Sequence, residues 1–274
     1  MDPKDYTESC CPFDSSMYTG TPDSSPCPVS LPVRNVIEQL DALYEQGRED
    51  EAQEYLEDWQ AKAENCGDWR AELSFTSELL GQYRRSGNMD KGLAAVDRAM
   101  KIIREHRMGE TLSGATVLLN AATTLKCFGR AAESLPVFRH VSRVYAQKLD
   151  PMDYRFAGLY NNMALSCSDV EDYQGAERYF NLALKVIEHC ENPGNDMAVS
   201  YCNMAEMYAK QDMEDERIEQ CMERAWELLN DDKLPQDGYH AFTISKCAPT
   251  FDYFGYFLYA KELKERAEKI YVGT

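Results

Sequence analysis

No run of about 18 apolar residues occurs in the 274-residue chain, so nothing in it reads as a membrane-spanning helix. Basic residues are scarce: 29 Lys and Arg stand against 47 Asp and Glu, a formal charge of −18. Nucleic acid and anionic membranes are held by clustered cations, so neither is expected as a partner. The stretch MDPKDYTESCCPFDSS lacks the basic start and apolar core of a secretion signal, which points to a cytoplasmic setting. Catalytic patterns are missing as well. There is no glycine-rich phosphate loop, no H-E-x-x-H and no calcium-loop spacing, and His106, His140, His189 and His240 have no nucleophile or paired carboxylate at a recognised distance in sequence. These histidines read as solvated or helix-end residues. The ten cysteines contain no C-x-x-C. Cys127, Cys167, Cys202, Cys221 and Cys247 fall on expected helices, most of them near packing positions, and read as reduced thiols; Cys10, Cys11 and Cys27 lie in an exposed tail. No enzyme activity, cofactor or metal is expected.

What the chain does contain is one helix-pair pattern repeated six times from about Val33 onward. The small or compact residues Leu40, Leu80, Ala122, Ala164, Ala205 and Ala248 recur at intervals of 40, 42, 42, 41 and 43. About eight positions later comes a turn, at Gly47, Gly87, Gly129, Glu171 and Gly255, and then a second small residue, at Ala52, Gly92, Ser134, Ala176 and Ala260. In the window Arg155–Ile187 apolar residues recur at three and four spacing, the period of a buried helical stripe. Pro151, Pro193 and Pro235, 42 residues apart, stop the second helices of successive units. Pro136 predicts a kink or a late start in its helix. A repeat of this length stacks, because one unit cannot bury its own apolar face. Residues 1–32 differ: with six of the eleven prolines and no helical period they read as a flexible Pro/Ser-rich segment, or as an extended one that folds onto the first helices or into a groove.

The unit Leu159–Ile187, with Tyr160, Met163, Ala164 and Cys167 on its first helix and Ala176, Phe180 and Ala183 on its second, resembles the tetratricopeptide repeat (TPR) family. The period of about 42 is similar to that of its long-repeat members, such as kinesin light chain and the peptide-sensing regulators of Gram-positive bacteria. The resemblance implies an all-α, right-handed superhelical solenoid of about six helix pairs over residues 33–274, a protein-interaction module binding a peptide or protein segment in its concave groove. A signalling-peptide sensor and a structural assembly subunit are the alternatives.

Within that framework a periodic asparagine stands out. Asn120, Asn162 and Asn203 each precede a small packing residue by two positions, about 200° around the helix, and so face away from it. An amide there suits pairing with an extended peptide backbone, as the resemblance to long-repeat members implies; it equally suits a hydrogen bond to a neighbouring helix. Arg84, Arg85, Lys126 and Lys210, late in first helices, are candidates for a carboxylate-accepting lining or for complements to the helix dipole. Eight rings, Tyr239, Phe242, Phe251, Tyr253, Phe254, Tyr256, Phe257 and Tyr259, fall within 21 residues. Most are expected in the core, and the rest at a partner patch or a weak homodimer contact of an otherwise monomeric chain.

Overall fold

Each expected repeat is a pair of helices in the computed structural model, which describes residues 15–273. The pairs are α1 (Val33–Glu45) with α2 (Glu49–Cys66), α3 (Trp69–Ser86) with α4 (Met89–Glu105), and α5 (Leu112–Cys127) with α6 (Ala131–Lys148). They continue with α7 (Arg155–Asp169) and α8 (Tyr173–Ile187), α9 (Gly194–Gln211) and α10 (Glu216–Leu229), and α11 (Gly238–Tyr253) and α12 (Phe257–Gly273). Among the described residues there is no strand, and no helix is long and apolar enough to cross a membrane.

The turns inside pairs are short because one left-handed residue reverses the chain. Gly47, Gly87, Gly129 and Gly255 have φ of 69°, 67°, 76° and 84°. Glu171 holds the same place in the fourth pair at φ 63°, a conformation that costs a residue with a Cβ roughly 1 kcal/mol. Leu40, Leu80, Ala122, Ala164, Ala205 and Ala248 are all at most 1% exposed, so the register read from their spacing is the packing register. Helix α6 runs unbroken through Pro136 and starts in step with its siblings, and α11 likewise contains Pro249. Burial of a helix face supplies more of its stability than local propensity does, and it holds these helices where proline alone would end them.

The chain divides into two compact units between Leu149 and Asp150. In the first, α2 packs on α3 and α4 on α5, and α3 lies beside α5. In the second, α8 packs on α9, and α9 lies beside α7 and α11. First helices thus adjoin first helices within each unit, which places their side chains on a common face.

The N-terminal segment 1–32 was expected to be flexible, or extended against the first helices or the groove; Cys10 and Cys11 lie outside the described residues, and the described part contacts the first unit at several points. Tyr18 is buried beside His140, with ring centroids 6.3 Å apart. The Asp23 amide donates to the His106 carbonyl at 3.0 Å, and the Asp23 carboxylate meets His106 Nδ1 at 2.9 Å. The His106 ring stacks on Trp69 at 4.0 Å. Arg70 donates to the carbonyls of Ser25 and Asp23, and the Leu31 amide to Asp68 Oδ2 at 2.8 Å. Asp68 is also the N-cap of α3, so one carboxylate fastens both the helix start and the segment.

The hydrogen bond to His106, with that from the Ser25 amide, pulls the Asp23 carboxyl down to about 2. A carboxyl depressed in the folded state contributes its stability above its ordinary value of 3.8 and loses it as pH falls through about 2. Acidification across that window is therefore expected to release the segment locally, reported by the fluorescence of Trp69 against His106. In Asp23→Asn that step should be absent, and amide exchange over residues 19–31 should already be faster at neutral pH. Unchanged exchange in the variant would show that Asp23 does not hold the segment.

Candidate functional site

Helices α9 and α11 alone line a pocket of about 380 Å³ in the second unit. Its α9 wall is Asp196, Val199, Cys202, Asn203 and Glu206, and its α11 wall is Tyr239, Phe242, Thr243, Lys246, Cys247 and Thr250. Both sets follow three and four spacing, so each is one face of its helix. A second recess of about 360 Å³, lined by Glu206, Ala209, Lys210 and Tyr253, shares Glu206 with the first and continues along the same pair of helices. Together they form a groove. From Tyr239 to Tyr253 it spans roughly 21 Å of helix at 1.5 Å per residue, room for about six residues of extended chain.

The walls combine exposed apolar surface with polar groups of fixed direction. Tyr239, Phe242 and Tyr253 are 53%, 52% and 66% exposed, far more than core rings. The Tyr239 hydroxyl donates to Asp196, and burial of the hydroxyl, with that hydrogen bond and charge, raises the phenol's pKa and keeps it a donor. Glu206 accepts from Thr250 Oγ1 at 2.8 Å, and its second oxygen has no donor among the described residues. Lys246 lies over the Phe242 ring, 5.4 Å from its centroid. Below, the neighbouring Cys247 thiol and burial push the Cys202 thiol well up, and burial pushes Cys221 to about 12. These thiols are neutral; Cys202 and Cys247 line the groove as small apolar residues, and Cys221 is buried on α10. Of the five helix-borne cysteines named from the sequence, Cys127 differs in being exposed.

The asparagines do not share one role. Asn203 lines the groove and has no hydrogen-bond partner among the described residues. Lys246, at the same repeat position one unit later, lines it too. Asn120 donates its amide to Ser77 Oγ at 3.0 Å, tying α5 to α3. Asn162 turns back to the Gly158 carbonyl of its own helix at 2.9 Å. The amide that reaches across from α7 is Asn161, which donates to Ser200 Oγ on α9 at 3.0 Å.

Among the basic candidates, Arg84 bridges to α5 through the Asn120 carbonyl at 3.1 Å and Thr124 Oγ1 at 2.8 Å. Burial lowers its pKa, though not enough to remove the charge of a guanidinium. Arg85 donates to Gln82 and stacks on Tyr44, 4.8 Å from its centroid. Lys126 is half-buried late in α5. Lys210 pairs with Asp169 at 2.8 Å at the edge of the groove. Arg84 and Asn120 are brought together in the first unit, and Asn203 lies with Lys210 along the α9 face in the second.

The expectation that most of the eight clustered rings lie in the core is not met: of them, Phe251 alone is buried, and five are exposed. Phe251 is fully buried and packs edge-on against Trp226, Tyr256 and Tyr259, while Tyr259 stacks on Trp226 at 3.9 Å. Tyr239, Phe242, Tyr253 and Phe257 stay exposed, and Tyr259 is exposed along the edge it does not stack. The signal was present: positions 239, 242, 246, 250 and 253 form a separate helical stripe from that of Ile244, Cys247, Ala248 and Phe251. The histidine reading also needs correction. His140 and His240 are buried, bonded to the Gly109 carbonyl at 3.0 Å and to Asn195 Oδ1 at 2.8 Å, and burial lowers both pKa values.

Two solved structures show what this architecture is similar to. One is the nearly identical TPR-like repeats described as kinesin light chain from Podosopora anserina, at TM-score 0.53 and 15% identity over 73% of this chain and 95% of that one. Another is BtubC (BKLC) from P. vanneervenii, at TM-score 0.51 and 16% identity over 89% of this chain and 92% of that one. No family model matches the sequence, and no curated protein aligns with it. At such identities the likeness is one of fold: the chain has the tetratricopeptide-repeat fold.

Proposed function

We propose that this tetratricopeptide-fold chain is a non-enzymatic interaction module that holds an extended segment of another protein against α9 and α11. The observation that carries this reading is the α9/α11 groove, where half-exposed rings stand beside the unpartnered Asn203 amide. Rings left in water gain free energy when a partner covers them, and an amide with both donor and acceptor unused matches a peptide group. Lys210, Lys246 and Glu206 supply charges at the walls. The excess of acid over base and the reduced thiols fit a cytoplasmic setting. In the first unit, Arg84, Arg85 and Asn120 have a structural part in holding first helices together, and Asn162 has a local one; Asn203 is the member of the series we assign to the ligand.

Selection of linear peptides from a random display library on the full chain tests this. Asn203→Ala and Phe242→Ala are each expected to weaken the selected peptides by about 1–3 kcal/mol, roughly 5- to 150-fold, with thermal unfolding unchanged because both side chains reach solvent. Peptides that bind the double variant as tightly as the parent would remove the groove as the binding surface.

A further inference from the structure

The walls of the α9/α11 groove differ in character from one end to the other. On the basis of the groove reading above, we propose that the segment held there carries an apolar, an acidic and a basic residue at successive alternate positions, counted from the Asp196 end. Two hydrogen bonds set the helices level with each other: the Tyr239 hydroxyl donates to Asp196 Oδ1, and Thr250 Oγ1 donates to Glu206 Oε1 at 2.8 Å. Between those bonds α9 advances ten residues and α11 eleven, roughly 15 to 17 Å of helix in each case. The two helices therefore run side by side in one direction, and residues at one height can be matched across the groove. Past the Asp196–Tyr239 bond comes an apolar height, Val199 with the half-exposed Phe242. Next stand Asn203 and the exposed Lys246, and then Glu206, whose second oxygen has no donor among the described residues. Lys210 lies beyond and is paired with Asp169 at 2.8 Å, so the charges offered to a ligand end at Glu206.

A step of three or four residues along a helix advances about 4.5–6 Å, and every second side chain of an extended chain about 6.6 Å. One face of an extended segment therefore meets the three heights in turn. Its apolar residue covers Val199 and Phe242, the next side chain on that face reaches Lys246, and the one after reaches Glu206. The backbone between them passes Asn203, whose amide matches a peptide group. Charge sets the order. A segment that covers Lys246 and Glu206 takes water from both, so each needs an opposite charge in its place, and the reverse order would set like charges together. The formal charge of −18 attracts basic peptides without regard to order, so the acidic position at Lys246 is the part of the pattern that belongs to the groove itself. The order holds for either chain direction, because side chains alone define it.

The probe is a set of phage-displayed peptides with leucine, glutamate and lysine at alternate positions, in both chain directions, compared on the full chain with the same peptides in which glutamate and lysine exchange places. The two sets have equal composition and net charge, so the field of the acidic chain does not separate them. At physiological salt the first order should be retained about 5- to 30-fold better, the range for exchanging two half-exposed attractions for two repulsions. Lys246→Glu/Glu206→Lys should invert the preference, and Lys246→Glu alone, at an exposed position, should abolish it. Retention that Asn203→Ala or Phe242→Ala weakens but that ignores the order, or a preference that Lys246→Glu leaves unchanged, overturns this inference and leaves the groove as a binding surface. Retention indifferent to Asn203 and Phe242 removes the groove reading and this inference with it, as does a display in which no peptide is retained.

Discussion

Phe180→Ala is expected to lower the stability of the second unit by about 3–5 kcal/mol, among the larger losses a single truncation produces. Phe180 is fully buried in α8, which packs against α7. The residues that let these helices approach, Ala164, Ala176 and Ala183, are also at 0% exposure and carry one carbon each beyond the backbone. None has a side chain long enough to swing into the space the ring leaves, and closing it would require moving whole helices. The cavity therefore persists, and its cost adds to the lost burial. Urea unfolding followed by circular dichroism measures this. In a stacked repeat the loss can separate the unfolding of the second unit from that of the first, so the early transition is the one to compare. A change below about 1 kcal/mol would mean that α7 and α8 collapse onto each other and that small-residue packing does not fix their spacing.

Gly114→Ala is expected to cost about 2–4 kcal/mol for the addition of a single methyl group. A Cβ at Gly114 would lie 2.0 Å from the Met108 carbonyl oxygen, 2.7 Å from its carbon and 3.0 Å from Thr111 Oγ1. Those atoms form the start of α5. Thr111 Oγ1 accepts from the Gly114 amide at 3.0 Å and donates to the Met108 oxygen at 2.6 Å. Backbone cannot rotate aside as a side chain can, so the methyl must displace the loop between α4 and α5 and break the cap. That loop includes Arg107 at φ 54° and the Gly109 carbonyl that receives His140. Gly158→Ala in α7 is the matched control. Nothing lies within 4 Å of the added carbon there, and the same change should stabilise by about 0.5–1 kcal/mol through helix propensity. Similar thermal midpoints for the two variants would show that the α5 start yields easily.

The sequence by itself determined the helix pairs, their period and their packing register. Leu40 through Ala248 are buried at the spacing that named them, and the left-handed turns fall at Gly47, Gly87, Gly129, Glu171 and Gly255. These features are local: a repeating small residue and a residue able to take positive φ are legible within one helix and its turn. Tertiary structure decided everything that depends on the rotation of one helix against another. Asn161 and Asn162 are neighbours in sequence yet about 100° apart around α7, and it is Asn161 that reaches Ser200 while Asn162 bonds to its own helix. The same rotation separates Phe251, in the core, from Tyr253, at the groove, and buries His240 against Asn195. The path of residues 15–32 was likewise not legible, because Asp23 meets Arg70 and His106 only once α3 and α4 have paired and brought the start of one beside the end of the other. Composition fixes how much such a segment can bury on its own, whereas its anchors belong to helices distant in the chain.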